Sequence, residues 1–342
     1  MFSLSNAQSL GGILFVLLLC WLLSENKRKF PILLTLGAIG LQLGLVFLFF
    51  GFPDARFILD GINTAVDSLA IATRQGTQFV FGYLGGGAQP YAVENQGALF
   101  VFAFEVLPLI LVISALSALL WHWNVLKWVI RGFGYLFQKT LGLGGASALA
   151  VAVNVFLGMI ESPIVIKGYL SKLSRSEMFL LMVVGLATVA GSTMVAYALI
   201  LKPVMANAAS HVLVASILSA PAGVLLARIL VPEKPGEGGA YADYSSGLKY
   251  DSAIDAIVKG TSDGLMVVLN ISAILIVFVA LVALVNVMLS GLPHVGGEAI
   301  TVERVLSLVF APLAWLIGVP WDEATKAGWV LGTKLTQTEF AA

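Results

Sequence analysis

The sequence predicts an all-α polytopic membrane protein with re-entrant helical hairpins, and three observations predict it. Of its 342 residues, 59% are hydrophobic and 11% charged, whereas soluble domains carry about 25% charged residues. Several apolar runs approach the length of about 20 residues that crosses roughly 30 Å of hydrocarbon as a helix. Two further apolar stretches are too broken to span cleanly. These are Leu141–Leu170, interrupted by Gly158–Pro163, and Val305 to the end, interrupted by Pro312, Gly318–Pro320 and Thr336–Glu339. Irregular backbone at membrane depth is tolerated only where it is buried in protein or lines a cavity, so such breaks read as hairpin tips.

In chain order, the spanning segments are Leu4–Leu23, Pro31–Phe52, Phe100–Leu120, Met178–Leu201, His211–Leu230 and Leu265–Leu289. The first opens on a polar turn. No basic region precedes its apolar part, and Lys27, Arg28 and Lys29 follow it, which is the pattern of a retained helix and not of a cleaved signal. Basic loops stay cytoplasmic. Lys27–Lys29 therefore place the N-terminus outside the inner (plasma) membrane, and Lys127, Arg131 and Lys139 behind the third span agree.

Phe57–Val80 mixes apolar positions with Asp60, Asn63, Asp67 and Arg74 at near-helical spacing. That suits an interfacial helix, a helix packed on the bundle or a solvated loop helix. Tyr83–Gly97 is a Gly-rich polar loop, and Pro232–Tyr250 reads as a linker. Asp251–Asp263 repeats the amphipathic character before the sixth span. The expected parts are residues 1–140, largely scaffold; 141–231, the first hairpin and following spans; 232–264, linker and amphipathic helix; and 265–342, the sixth span and the start of a second hairpin. One broken segment falls on each side of the linker. Paired broken segments in corresponding halves are the pattern of inverted-repeat secondary transporters, which bind solute at the midplane. The repeat is read from hydropathy, not from residue identity between the halves.

Other classes find little footing. A net charge of zero gives no basis for nucleic-acid binding. The single cysteine, Cys20, excludes a disulfide framework. No His-Glu-x-x-His occurs, and His122, His211 and His294 lie at span ends or in a loop, so an intramembrane enzyme lacks its parts. Gly142–Gly145 is not a phosphate loop, because no Lys-Ser/Thr follows it.

The residues that could carry chemistry cluster at the breaks. Ionised groups at membrane depth are costly and mark function. Glu161 could accept paired hydrogen bonds from sugar hydroxyls or cap a helix end. Gly158 permits a sharp turn, and Pro163 suits the first turn of a following half-helix. Glu339 in Lys334–Phe340 resembles a second such tip. Asn154 and the run Leu186–Thr193 supply neutral oxygens that could hold a hard cation or simply bond nearby backbone. Glu105, ahead of Pro108, is either a buried structural charge or a coupling group.

At these residues the chain resembles the concentrative nucleoside transporter family. The resemblance is carried by Gly76-Thr-Gln-Phe-Val-Phe-Gly82, Gln96–Phe104, Val106–Pro108, Asn154…Gly158…Glu161-Ser-Pro163, Ala187–Ser192, Ser219-Ala-Pro221, Val231-Pro-Glu233, Asp263–Leu265, Ala311–Pro320 and Glu339-Phe340. It implies a homotrimer in which a mobile transport domain with two hairpins moves like an elevator beside a scaffold. By position, Glu161 and Glu339 would bind the ribose, and Gly158, Met159, Ile160 and Thr193 would line the nucleoside site. Asn154 and Thr188, with the backbone carbonyls of Leu157 and Val189, would bind Na⁺ as coupling ion; no other cofactor is implied. H⁺ coupling, a related polar solute and a non-transporting binding or assembly subunit are the alternatives. The family's tip reads Gly-Gln-Thr-Glu where this chain has Gly158-Met-Ile-Glu161, so base readout is expected to be altered or broader. The resemblance also implies two further spanning segments beyond Ala342.

Overall fold

The computed structural model describes residues 4–94, 99–158, 161–202, 204–205, 207–234, 248–294, 297 and 299–337. Regular structure among the described residues is helical. The chain divides into two compact units, Ser24–Val268 and Met1–Leu23 with Leu269–Ala342.

In the larger unit, α2 (Ile32–Val46) continues into a π-helical turn at Phe47–Gly51. Phe52 is then extended, as a residue before proline prefers, and Pro53 opens the amphipathic α3 (Pro53–Phe81). The third span is α4 (Phe102–Glu105) followed by α5 (Leu107–His122). Sequence reading missed α6 (Val125–Leu141), whose strongly amphipathic pattern was noted only for its basic residues. Then come α7 (Gly145–Leu157), α8 (Glu161–Val165), α9 (Lys167–Leu170), α10 (Arg175–Ala187), α11 (Gly191–Leu201) and α12 (Ala208–Leu230). Finally, α13 (Ala253–Leu289) runs out of this unit.

Among the described residues, five segments are long and apolar enough to cross a membrane: residues 32–51, 102–122, 175–201, 208–230 and 253–289. The expected fourth span is not continuous, because Thr188 and Ala190 are extended and divide it into α10 and α11. Asp251–Asp263 is not a separate helix either. It fuses with the sixth span into the 37-residue α13. Gly260 and Gly264, which could have read as breaks, let α13 close onto α5. A Cβ on each would stand 2.7 Å and 2.8 Å from the Cβ atoms of Ala118 and Ser114, the small-residue contact typical of membrane helices.

α2 and α12 are antiparallel neighbours, joined from Gln42 Nε2 to the Leu218 carbonyl at 2.9 Å and from the Glu25 N–H to the Leu230 carbonyl at 3.0 Å. α3 is fixed to α12 through Asn63, whose Oδ1 accepts the Ser210 N–H at 3.1 Å, so it packs on the bundle. The core lies around α7, which is buried on all sides, as expected for a helix that is apolar all round.

The smaller unit contains α1 (Leu4–Leu22), α14 (Val302–Leu316) and α15 (Trp321–Thr336). The apolar part of α1, Ala7–Leu22, is about 24 Å long and short of the hydrocarbon thickness. α14 and α15 meet at 119° around Ile317–Pro320. Pro312, expected to break the segment, lies inside α14. Gly328 and Gly332 let α15 close on α14, because a Cβ at either would collide with Ser307 or Leu306.

Candidate functional site

The site is built from two interrupted helices in the larger unit. α7 stops at Gly158, whose φ of 90° and ψ of −179° suit glycine alone. The chain then reverses. The Ser162 hydroxyl donates to the Ala150 carbonyl at 3.3 Å, whereas continuous helix would hold those residues about 18 Å apart. Leu141–Leu170 is therefore a hairpin.

The second interruption falls at Thr188–Ala190 and is held by α12. Ser216 Oγ accepts the Val189 N–H at 3.0 Å and donates back to the Val189 carbonyl at 3.3 Å. Gly191 then opens α11 against the end of α7, where a Cβ would stand 3.0 Å from the Phe156 carbonyl oxygen. The two unwound stretches thus lie side by side.

Asn154 is the polar centre of this junction and is 1% exposed. Its Nδ2 donates to the Leu181 carbonyl at 3.3 Å, and its own carbonyl accepts the Gly158 N–H at 3.1 Å. Thr188 Oγ1 faces both the Val184 carbonyl at 2.9 Å and the Asn154 carbonyl at 3.4 Å. A hydroxyl has one hydrogen, so its lone pairs stay available. Asn154 Oδ1 is buried with no hydrogen-bond partner among the described residues. A buried oxygen left so costs roughly 1–3 kcal/mol unless something fills the role.

Every side-chain group here is neutral, and the donor set is oxygen. The C-terminal ends of α7 and α10 both arrive at the junction, each leaving backbone carbonyls without intrahelical partners and a partial negative charge. These oxygens and carbonyls suit a hard monovalent cation. Among the described residues, no group of three or more His, Cys, Asp or Glu could hold a metal.

The structure brings together Asn154, Leu157, Gly158, Thr188 and Val189. Glu161 is the first residue of α8, and Thr193 is half-buried on α11. Met159, Ile160 and Glu339 lie outside the described residues, as does the side chain of Glu161. Sequence reading missed Ser216. It is one of three serines in the largely apolar, Ala-rich α12, so nothing in the sequence singles it out.

Three family models match the chain in order. "Na+ dependent nucleoside transporter N-terminus" covers residues 11–84, "Nucleoside recognition" covers 103–204, and "Na+ dependent nucleoside transporter C-terminus" covers 211–342. The chain is 36% identical to the transporter YutK of Bacillus subtilis over 97% of its own length and 79% of that protein. It belongs to the Na⁺-dependent nucleoside transporter family.

Within that family, it is 34% identical to the nucleoside permease NupC of Helicobacter pylori, over 98% of this chain and 78% of the permease. CNTnw, solved in an inward-facing substrate-bound state, superposes with a TM-score of 0.85 at 32% identity, covering 98% of this chain and 80% of CNTnw. A CNTnw variant in an outward-facing state gives 0.84 at 32% identity, covering 99% and 80%. Membership makes this chain an integral membrane transporter and not an enzyme. Its all-α architecture of apolar helices is the family's.

Proposed function

We propose that the protein is a Na⁺-coupled secondary active importer of nucleosides that alternates access by elevator-type movement of a transport domain. The observation that carries the coupling is Asn154 Oδ1, buried without a partner beside Thr188 where two helices end. Asn154 and Thr188, with the carbonyls of Leu157 and Val189, would hold Na⁺. The ion supplies positive charge that ties the hairpin end to the α10–α11 break. With that junction fixed, the end of α7 at Gly158 is held in place beside the substrate site.

Glu161 and Glu339 are assigned to the ribose hydroxyls, which a carboxylate pairs with well. Gly158, Met159, Ile160 and Thr193 are assigned to the rest of the nucleoside. Met159 and Ile160 offer a base no side-chain hydrogen bonds, which supports relaxed base selectivity. For movement as one body, the support is the start of α10. Glu177 bonds Ser147 of α7, and Ser176 bonds Arg228 of α12 at 2.9 Å. On this reading, residues 141–231 belong to the mobile part and most of 1–140 to the scaffold. The basic residues Lys27–Lys29 support an N-terminus outside the plasma (inner) membrane, and the family resemblance supports a homotrimer.

The test is uridine accumulation in proteoliposomes containing the complete gene product. Accumulation under an inward Na⁺ gradient, but not under a pH gradient alone, is expected. Accumulation driven by the pH gradient alone would overturn the Na⁺ assignment and leave the substrate. No saturable uptake of uridine or other nucleosides from folded protein would overturn the substrate reading.

A further inference from the structure

Glu177 has a second task that its place in a helix cap does not require. It is 1% exposed, within an apolar span. Its Oε2 accepts the Ser174 N–H at 2.9 Å, and Ser174 Oγ accepts the Glu177 N–H at 3.2 Å. That is a capping box, which needs one carboxylate oxygen and no burial. The other oxygen, Oε1, leaves its own helix and accepts the Ser147 hydroxyl on α7 at 2.7 Å. Among the described residues, no cation stands among its hydrogen-bond partners. A carboxylate buried in protein for a cap alone would be an expensive choice.

The helical repeat explains the arrangement. Ser147 and Asn154 are seven residues apart, two turns of α7, and so share one face. Glu177 and Leu181 are one turn apart on α10, and Thr188 lies three turns beyond Glu177. Both helices begin near the Ser147–Glu177 bond; farther along, Asn154 bonds the Leu181 carbonyl in mid-α10 and Thr188 just past the end of α10. They therefore run parallel along one seam, strapped at the start and meeting at the proposed cation junction. Between Ser147 and Asn154 on that face, α7 presents Ala150 and Val151, small side chains that leave much of the register to the polar bonds. A slip of one residue is about 1.5 Å. Added to the 3.3 Å from Asn154 Nδ2 to the Leu181 carbonyl, it would break that bond.

We propose that Glu177, strapped to Ser147, is a positioning residue that sets the register of α7 on α10 and so presets Asn154 against Thr188 for the cation. The transport readout rests on the Na⁺ reading above; the register itself does not. The test compares Ser147→Ala, Ser147→Thr and wild type in the complete reconstituted transporter. Two quantities are read: the Na⁺ concentration for half-maximal uptake, and hydrogen–deuterium exchange across residues 150–158 without Na⁺.

Ser147→Ala is expected to raise the half-saturating Na⁺ about five- to tenfold, the effect of losing one charge-assisted hydrogen bond. Nucleoside KM at saturating Na⁺ should stay within about twofold, exchange should accelerate, and Ser147→Thr should restore both readouts. Unchanged Na⁺ dependence with unchanged exchange overturns the proposal. So does a fall in maximal rate alone, which a merely structural bond would give. Should the wild type prove indifferent to Na⁺, the Na⁺ reading falls and exchange alone decides the strap. Should Ser147→Ala fail to assemble, Glu177→Gln takes its place. It keeps an acceptor for Ser147 but loses the charge, and the same two readouts decide.

Discussion

The interrupted segments of the two units differ in what they leave unsatisfied. At the turn between α14 and α15, the carbonyls are met by side chains of α1. Gln8 Nε2 donates to the Trp315 carbonyl and to Val319 O at 3.3 Å, and Ser9 Oγ donates to Ile317 O at 3.3 Å. At the junction of α7 with the α10–α11 break, Ser216 meets the Val189 backbone, but the side-chain oxygen of Asn154, Oδ1, has no partner among the described residues. A turn satisfied from within is a structural corner. A turn that buries an unsatisfied oxygen beside two helix C-termini is prepared for something that arrives from outside. Glycine sharpens the contrast, since Gly158 and Gly318 both have positive φ, 90° and 112°, yet only the first borders the unsatisfied oxygen.

The largest expected effect is at the first hairpin. Glu161→Gln should remove saturable nucleoside uptake, a loss of about 100-fold or more if the carboxylate anchors the ribose, while the assembled protein elutes unchanged. Full activity would end that assignment. Asn154→Ala should raise the half-saturating Na⁺ about tenfold, equivalent to about 1.4 kcal/mol. Unchanged Na⁺ dependence would make the two turns equivalent and break the comparison.

The glycine pair comes next. Gly158→Ala and Gly318→Ala should each destabilise by about 1–3 kcal/mol, because both force a side chain into strained backbone. At Gly318 a Cβ would also collide with Ser9 Oγ. Thermal unfolding should register both, but only Gly158→Ala should also shift Na⁺ dependence. The smallest effect is in selectivity. Met159→Gln with Ile160→Thr should widen the spread of inhibition among competing bases by several-fold without altering Na⁺ dependence; an unchanged profile would remove these positions from base readout.

Most spans were legible because hydropathy alone decides them. Asn154, Gly158 and Glu161 stood out because amide, glycine and carboxylate are rare in such surroundings. The break at Thr188–Ala190 was harder to see as a break, though its oxygens were noticed. No proline marks it, and the unwinding depends on Ser216 from another helix taking the Val189 N–H. Pro312 misled in the other direction. A proline forfeits one hydrogen bond but a helix can run through it when neighbours hold it, and here Ala311 and Ala314 pack against Ala324 of α15. Ser147–Glu177 was invisible because a serine and a glutamate thirty residues apart carry no periodic signal, and only the hairpin brings them together.

The length of α13 has a bearing on the membrane itself. Its 37 residues amount to about 55 Å of helix, longer than a bilayer with its headgroups at about 40–45 Å. Its apolar portion, Leu265–Leu289, is about 38 Å of helix against roughly 30 Å of hydrocarbon, an excess that tilt or local thickening of the bilayer takes up at a cost of fractions of a kcal/mol per ångström. Tolerance of hydrophobic mismatch is then a property of one continuous helix.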